Sequence, residues 1–121
     1  MTELIEAAKN GKTETVELLL NHGADVHTRN NYALRWAVKY RKTQTVNLLL
    51  QHKADPSAEN YQALKIAATK NHSETFHLLL NNSKPPLTTL EPIYNSAPEQ
   101  IQQLITAHYK QSKKKSARSA I

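Results

Sequence analysis

The side chains of this sequence best suited to binding a metal ion are six histidines. His22 and His52 lie 30 residues apart in similar surroundings, so helices packed about 10 Å apart could bring them together. No H-x-x-x-H pair or neighbouring group of carboxylates accompanies them, as a zinc site would require. His27, His72 and His77 stand at unrelated positions. We therefore predict structural histidines, no metal site and no cofactor.

Catalytic motifs are equally absent from the sequence. The chain has no Cys, which excludes thiolate nucleophiles, thiolate metal sites and disulfides. It contains neither a G-x-S-x-G motif nor a P-loop, and its acidic residues stand singly. Asp25 and Asp55 recur at equivalent positions, but a turn uses such carboxylates to accept hydrogen bonds from backbone N–H groups. We predict no catalytic residue and no enzymatic function.

Basic residues are concentrated at the C-terminus. Residues 1–109 contain 11 Lys or Arg against 10 Asp or Glu, whereas residues 110–121 contain 5 basic residues and no acidic one. The side chains suited to nucleic acid, anionic lipid or an import receptor are Lys113, Lys114, Lys115 and Arg118. This tail has no aromatic ring for base stacking. The alternative is a solubilising terminus, either a frayed helical extension or a disordered tail.

Hydrophobic residues, 39% of the chain, form no run approaching the roughly 20 residues that cross a bilayer. The first residues alternate acidic and apolar groups and lack the basic and apolar regions of a secretory signal. With the absence of Cys, these features favour a cytoplasmic protein, which we expect to be a monomer.

The chain repeats itself with a period of 30 residues. Each repeat has a Leu and an Ala three residues apart, then a Thr, a Val or Phe, and three consecutive Leu. These positions are Leu4, Leu34 and Leu64; Ala7, Ala37 and Ala67; Thr15, Thr45 and Thr75; Val16, Val46 and Phe76; and the triplets that begin at Leu18, Leu48 and Leu78. Such a period indicates stacked units, each of which buries its apolar face against the next.

The pattern predicts two helices in each repeat. The first carries an L-x-x-A motif that places Leu and Ala on one face. A short polar break follows, and Thr13, Thr43 and Ser73 are suitable N-caps for the second helix. Glu14 and Glu74 follow two of these caps, where they suit the positive end of the helix dipole.

The stretch from Glu14 to Val26, E-T-V-E-L-L-L-N-H-G-A-D-V, resembles the second helix and exit turn of an ankyrin repeat. Weakened forms of the family's T-P-L-H-x-A start stand at residues 32–37 and 62–67. The resemblance covers roughly residues 2–83. It implies an all-α, ankyrin-like helical solenoid of three repeats plus a truncated C-terminal capping repeat, with short loops in place of full β-hairpin fingers.

Departures from the ankyrin pattern lie in the turns. The repeats have 30 residues where ankyrin repeats average ~33, and the missing residues fall in the finger, reduced to residues 28–31 and 58–61. The glycine between helices is present only as Gly11; Arg41 and Asn71 replace it. Asn tolerates the left-handed conformation better than Arg does. Gly23 likewise becomes Lys53 in the next repeat.

The chain is predicted to form one ankyrin domain followed by a basic tail. Thr2 is expected to cap the first helix. The predicted boundaries are 1–109 for the domain, with repeats at about 2–31, 32–61 and 62–86 and a capping repeat at 87–109, and 110–121 for the tail.

The capping repeat has its own signals. Pro85-Pro86 predicts an extended segment. The short helix after it is expected to place Tyr94 and Ala97 at the positions of the repeat Leu and Ala. Ser96 and Glu99 have the spacing of a capping box for the last helix.

Resemblance to ankyrin repeats implies that a partner docks on the concave surface, made of finger tips, exposed first-helix faces and inter-helix turns. The corresponding positions are Arg29, Asn31, Tyr32, Arg35, Lys39, Tyr40, Glu59, Tyr61, Gln62, Lys65, Thr69 and Lys70. Tyr and Arg are favoured at interfaces, although the same positions could be ordinary solvated ones. Trp36, the sole tryptophan, is expected to pack between repeats, with an exposed anchor as the alternative.

The resemblance thus implies a protein–protein interaction module. The alternative is a nucleic-acid or anionic-membrane binder that uses the tail together with Arg35, Lys39, Arg41 and Lys42. Lys outnumbers Arg 12 to 4 and Asn occurs 10 times, which suggests an AT-rich genome. Small degenerate ankyrin proteins of intracellular bacteria and large DNA viruses often act on host proteins. A host-directed effector in the host cytoplasm is therefore a further hypothesis.

Overall fold

The computed structural model describes the backbone of residues 3–119 and the side chains of residues 3–110. Thr2 and the tail side chains of Lys113, Lys114, Lys115 and Arg118 lie outside the described residues. The described part is all-helical, as predicted. Its helices are α1 Glu3–Lys9, α2 Thr13–Asn21, α3 Thr28–Lys39, α4 Thr43–Gln51, α5 Ala58–Thr69, α6 Ser73–Ser83, α7 Leu87–Ser96 and α8 Glu99–Ser119.

The helices form two layers. First helices α1, α3, α5 and α7 lie side by side, so that α3 packs between α1 and α5, and α5 contacts α7. The second layer follows the same order, with α4 between α2 and α6, and α8 against α6. Consecutive helices of each unit also pack on one another. This is the stacking that the 30-residue period predicts, because no unit can bury its apolar face alone.

The core lies between the two layers and is built from the repeated apolar positions. The Leu and Ala of each L-x-x-A motif are buried in all three repeats, and so are Val16, Val46 and Phe76. In the second and third repeats the last two residues of the Leu triplet are buried as well. Leu18 is 59% exposed, on a helix whose packing partners are α1 and α4. Within residues 3–119 no helix is long and apolar enough to span a membrane.

The turns after the helices keep the left-handed backbone even where glycine is lost. Gly11, Arg41 and Asn71 have φ values of 70°, 57° and 55° in the three inter-helix turns. Gly23 and Lys53 have φ values of 95° and 72° in the exit turns. A left-handed L-residue costs roughly 1–2 kcal/mol. Arg41 and Lys53 therefore carry a strain that the glycines of the first repeat avoid.

A single left-handed turn replaces each β-hairpin finger. Three consecutive residues at the start of α3 and of α5 have φ between 54° and 62°, and none of the six is glycine. They are Arg29, Asn30 and Asn31 in one turn and Glu59, Asn60 and Tyr61 in the other. Such turns persist only where the surrounding structure compensates for the strain.

Hydrogen bonds from Arg35 and between the two turns provide that compensation. The guanidinium of Arg35 donates to the carbonyl oxygens of Arg29 and Asn30 at 3.2 and 3.3 Å. The amide of Asn30 donates to Glu59 Oε1 at 2.6 Å, which links the first turn to the second. The shortened fingers are thus fixed to one another along the stack.

The second helices begin one residue earlier than the predicted N-caps imply. Their N-cap residues are Lys12, Lys42 and His72, and none of these makes a side-chain capping hydrogen bond. The assignment of Thr13, Thr43 and Ser73 as N-caps is therefore wrong, because these residues already belong to the helices.

Two of these threonines link neighbouring repeats instead. Thr13 Oγ1 lies 3.0 Å from Thr45 Oγ1, and Thr43 Oγ1 lies 3.1 Å from Thr75 Oγ1. Thr45 and Thr75 are fully buried, so each hydroxyl needs a partner. Two of the three recurrent Thr residues, Thr45 and Thr75, are thereby explained by hydroxyl pairs between second helices, whereas Thr15 is exposed.

The capping repeat differs from its prediction at two points. Leu90 and Ile93 are its buried residues, whereas Tyr94 is exposed and Ala97 is half-buried. The helix begins at Leu87, directly after the prolines, and its buried pair lies four positions, about one helical turn, before the predicted pair. The extended segment at Pro85-Pro86 is confirmed.

The capping box is not formed. Ser96 Oγ donates to the carbonyl oxygen of Pro92 at 3.1 Å, within its own helix. Ala97 is extended, and the first backbone bond of α8 runs from Gln102 N to Pro98 O at 3.0 Å. Pro98 therefore precedes the helix directly, and α8 continues to Ser119, into the basic tail.

Candidate partner-binding surface

The candidate surface is the side of the first-helix layer that faces away from the second helices. The two faces of α3 differ in burial: Ala33, Leu34 and Ala37 are buried, whereas Lys39 and the C-cap residue Tyr40 are exposed. Because α1, α3 and α5 are neighbours, equivalent positions of three repeats lie side by side here. The stack thus brings together residues that are 30 apart in the chain.

Three aromatic residues form a stack along α3. Tyr32, Trp36 and Tyr40 are spaced four residues apart and therefore share one helix face. The ring centroids of Tyr32 and Trp36 are 5.3 Å apart with planes inclined by 21°. Those of Trp36 and Tyr40 are 5.5 Å apart, inclined by 25°. Trp36 is therefore the central ring of a continuous stack.

Trp36 is not a core residue. It is half-buried, and its neighbours in the stack are the exposed Tyr40 and the half-buried Tyr32. The expectation that it packs between repeats is wrong, because its position on the outer face of α3 is occupied on α1 by an exposed residue, Glu6. The equal spacing of the three aromatic residues could have indicated this from the sequence.

Three cations lie against the aromatic stack. Lys9 Nζ of α1 is 4.9 Å from the Trp36 ring centroid and 5.6 Å from that of Tyr40. Lys39 Nζ is 5.1 and 5.8 Å from the same two rings. These distances are within the range of cation–π attraction. Lys9 was missed by sequence reasoning, although it stands at the position of Lys39 in the preceding repeat.

The third cation has a structural role as well. Arg35 Cζ lies 4.9 Å from the centroid of Tyr32. The same guanidinium holds the left-handed turn and donates to Gln62 Oε1 of α5 at 2.5 Å. Arg35 thus connects the aromatic stack, the shortened finger and the next repeat.

A shallow groove of about 300 Å³ runs between α3 and α5 beside the stack. Trp36 and Lys39 of α3 line one side, and Gln62 and Ile66 of α5, with Lys70 directly after that helix, line the other. Ile66 is the residue equivalent to Trp36 in the third repeat. The lining of the groove therefore includes an apolar side chain and a lysine on each side.

The charges of this surface are not neutralised by neighbouring carboxylates. Among residues with described side chains, the one ion pair is between His27 and Asp25, 3.5 Å apart, in the exit turn of the first repeat. Lys9, Lys39 and Lys70 are outside it. Lys39 and Lys70 are exposed, and Lys9 is half-buried.

Most of the predicted binding positions lie on this side of the stack and reach solvent. The exposed ones are Arg29, Lys39, Tyr40, Glu59, Gln62, Lys65, Thr69 and Lys70. Tyr32, Arg35 and Tyr61 are half-buried, and Tyr61 packs against the core.

Asn31 is the exception, because it is only 4% exposed. Its Oδ1 accepts a hydrogen bond from the backbone N of Asp55 at 2.7 Å. The left-handed turn directs this side chain inward, so Asn31 joins two repeats and is not part of the exposed surface. In the third repeat Tyr61 takes its place, and Pro85, which has no N–H to satisfy, takes the place of Asp55.

The basic patch proposed as an alternative is divided between two elements. Arg35 and Lys39 lie on α3, whereas Arg41 and Lys42 lie in the turn before α4. The stem of Lys42 covers the preceding repeat, where a Cβ added to Gly11 would lie 2.7 Å from Lys42 Cδ. The tail belongs to α8, which packs on α6 and α7.

Four of the six histidines and both aspartates have structural partners. His22 Nδ1 lies 2.8 Å from the carbonyl oxygen of Leu18 in its own helix. Asp55 accepts hydrogen bonds from the backbone N and hydroxyl of Ser57, which lower the pKa of its carboxyl group. Asp25 accepts from the backbone N of His27 in the same way. The described residues contain no group of three potential ligands that could hold a metal ion.

A second exposed feature lies in the capping repeat. A largely apolar groove of about 240 Å³ between α7 and α8 is lined by Leu87, Tyr94, Ile105 and Tyr109, among others. No sequence prediction addressed it.

Comparison with protein-family models gives a match to the chain. The family model described as "Ankyrin repeats (3 copies)" matches residues 4–89, from α1 to the start of α7. A search among curated proteins finds no match to the chain.

Proposed function

The chain belongs to the ankyrin-repeat family, whose members generally mediate protein–protein interactions, and we propose that it binds a partner protein through the outer face of α1, α3 and α5. The observation that supports this most directly is the Tyr32–Trp36–Tyr40 stack. Aromatic side chains on one exposed face, flanked by cations, are typical of binding hot spots. We name this region, with Lys9, Lys39, Ile66 and Lys70, the aromatic–basic face.

The short fingers limit where a partner can bind. Each finger is one left-handed turn fixed by hydrogen bonds to the next repeat, so it projects little from the stack. Contact area must therefore come from the first-helix faces. The face is pre-formed, which reduces the entropy lost on binding.

A matched pair of tyrosine substitutions tests this proposal. Tyr40 and Tyr94 are 41% and 39% exposed, but Tyr94 lies on α7, outside the aromatic–basic face. In quantitative pull-downs, Tyr40→Ala should reduce capture of specific partners at least ~10-fold, as hot-spot truncation does. Tyr94→Ala should leave capture unchanged. Equal capture by wild type and Tyr40→Ala would argue against the proposal.

The nucleic-acid or anionic-membrane alternative makes a different prediction. It relies on five basic residues from Lys110 to Arg118, on α8, together with the Arg35/Lys39/Arg41/Lys42 set. Binding of that kind weakens steeply as salt increases and should be lost when residues 110–121 are deleted. Binding that survives the deletion and shows a shallow salt dependence favours the protein-binding proposal.

We further propose that the protein is a cytoplasmic monomer and that it acts on host proteins as an effector. The effector role is supported by composition alone, the excess of Lys over Arg and the frequent Asn. Expression of the tagged chain in host cells followed by imaging would test the location, and sedimentation would test the monomer.

A further inference from the structure

We propose that the aromatic–basic face recognises an acidic stretch of polypeptide, in which carboxylates recur at every third residue of an extended segment. This inference rests on the proposed function and specifies the chemistry of the partner. It follows from three properties of the face: which parts of the rings are accessible, where the ammonium groups lie, and how far apart the helices are.

The rings present their edges to a ligand. Trp36 has Tyr32 and Tyr40 stacked on it and the ammonium groups of Lys9 and Lys39 above its ring, so its faces are occupied. The edge of an aromatic ring carries the positive part of its quadrupole. The Tyr hydroxyls and the Trp indole N–H add hydrogen-bond donors at that edge.

This arrangement disfavours a nucleic acid on the same face. Proteins that hold single strands offer free ring faces on which bases stack. Here the ring faces are stacked on one another or covered by lysine, 4.9 to 5.8 Å from the centroids. Carboxylates, by contrast, find both cations and donors at the ring edges.

The ammonium groups form a row across three repeats. Lys9 is the last residue of α1, Lys39 is the last residue of α3 and Lys70 directly follows α5, and the groove between α3 and α5 is lined by the last two. Adjacent helices are about 8–10 Å apart, and an extended chain advances about 3.3 Å per residue. A segment crossing the row therefore passes from one lysine to the next in about three residues.

Apolar and acidic side chains near the lysines further restrict which peptide can bind. Ile66, which lines the groove, favours an apolar residue between the carboxylates of the peptide. The carboxylates on this side of α1 and α5 include Glu6 and Glu59, and Glu59 is engaged by Asn30. Glu6 lies at the α1 edge of the face, so a ligand would approach Lys9 from the side of α3.

A peptide selection tests the inference. A phage library of random 12-residue peptides is panned on the full chain and on two charge-matched variants, Lys39→Glu and Lys110→Glu. Lys110 is exposed on α8, outside the face, so both variants have the same net charge. We expect clones that bind wild type and Lys110→Glu but not Lys39→Glu, and these clones should be enriched in Asp and Glu at positions i and i+3.

Intrinsic fluorescence then locates the binding. Because Trp36 is the sole tryptophan, its emission reports directly on the face. Titration with a selected peptide should shift the Trp36 emission with saturation. The same peptide with Asn and Gln in place of its acids should bind at least ~10-fold more weakly, as loss of charge-assisted hydrogen bonds implies.

The outcomes separate this inference from the proposed function. Selected peptides that require Lys39 or Trp36 but show no acidic enrichment would overturn the acidic ligand and leave the protein-binding face intact. Peptides that bind equally to Lys39→Glu would contradict both. Saturable quenching of Trp36 by a 12-residue oligothymidylate, at lower concentration than any selected peptide, would overturn the inference in favour of a nucleic acid.

Discussion

At the scale of single residues, left-handed backbone at non-glycine positions is the feature with the clearest energetic consequence. Arg41 occupies the position of Gly11 with φ 57°. Arg41→Gly should stabilise the chain by about 1 kcal/mol, since relief of left-handed strain outweighs the added flexibility of the unfolded chain. Urea unfolding measures the change. Lys65→Gly, at an exposed helical position, should instead destabilise by about 1 kcal/mol, and stabilisation by both would contradict the explanation.

His72 predicts a pH dependence of stability. Burial is the main cause that lowers its pKa below the usual value near 6.5, with Arg41 and Lys70 adding to the shift and the Val38 carbonyl, 3.2 Å from Nδ1, opposing it. As pH falls through 6.5 the unfolded chain therefore binds the proton first, and stability decreases until the folded-state pKa is reached. Above pH 6.5 this contribution is constant.

Urea unfolding between pH 7.5 and pH 5 checks this sign. Wild type should lose stability as pH falls, and His72→Asn should show a smaller loss. His108, whose pKa is also lowered by burial, should account for part of the remaining slope. An unchanged slope in both His72→Asn and His108→Asn would show that these groups are not responsible.

At the scale of elements, the left-handed turns are the structures that replace the ankyrin finger. Asn31→Ala should destabilise by about 1–3 kcal/mol, because it leaves the N–H of Asp55 without its buried acceptor. Asn60→Ala is the matched control, since Asn60 has φ 56° and an exposed side chain. It should incur only the left-handed penalty that both alanines share. If thermal unfolding shows that both variants lose the same stability, the hydrogen bond from Asp55 N to Asn31 Oδ1 contributes nothing to the stability of the fold.

The elements show what sequence could and could not predict. The period of 30 residues and the L-x-x-A motifs correctly predicted the paired helices, because burial of a repeated apolar face leaves few alternatives. The cap of the second helix was misplaced, since Thr13 is used for an inter-repeat hydroxyl pair instead. The inward direction of Asn31 could not be predicted, because it depends on three consecutive left-handed residues that no local pattern specifies.

At the scale of the whole molecule, the capping repeat is proposed to close the core, and Ile101 tests this. It is fully buried on α8, which packs against α6. Ile101→Ala should destabilise by about 2–4 kcal/mol through lost burial and cavity formation. Leu87→Ala, at a side chain 58% exposed, should change stability by less than about 0.5 kcal/mol. A small effect at Ile101 in urea unfolding would mean that the last unit folds independently of the stack.

Packing between repeats also explains why the aromatic–basic face was only partly predicted from the sequence. The positions predicted for binding lie on neighbouring first helices and their turns, since the repeats place these helices side by side. The aromatic stack and Lys9 emerged only when α1 and α3 were adjacent, because cation–π contacts across repeats depend on packing. The net charge of +6 described the tail more than this face.

The central claim is that partners bind on the outer face of α1, α3 and α5. Backbone amide chemical shifts of the ¹⁵N-labelled chain, recorded during titration with the tightest selected peptide, test it most directly. We expect the largest chemical-shift changes at Lys9, Trp36, Lys39 and Lys70, including the indole N–H of Trp36. Largest shifts on α2, α4, α6 or α8, with the Trp36 indole unmoved, would contradict it.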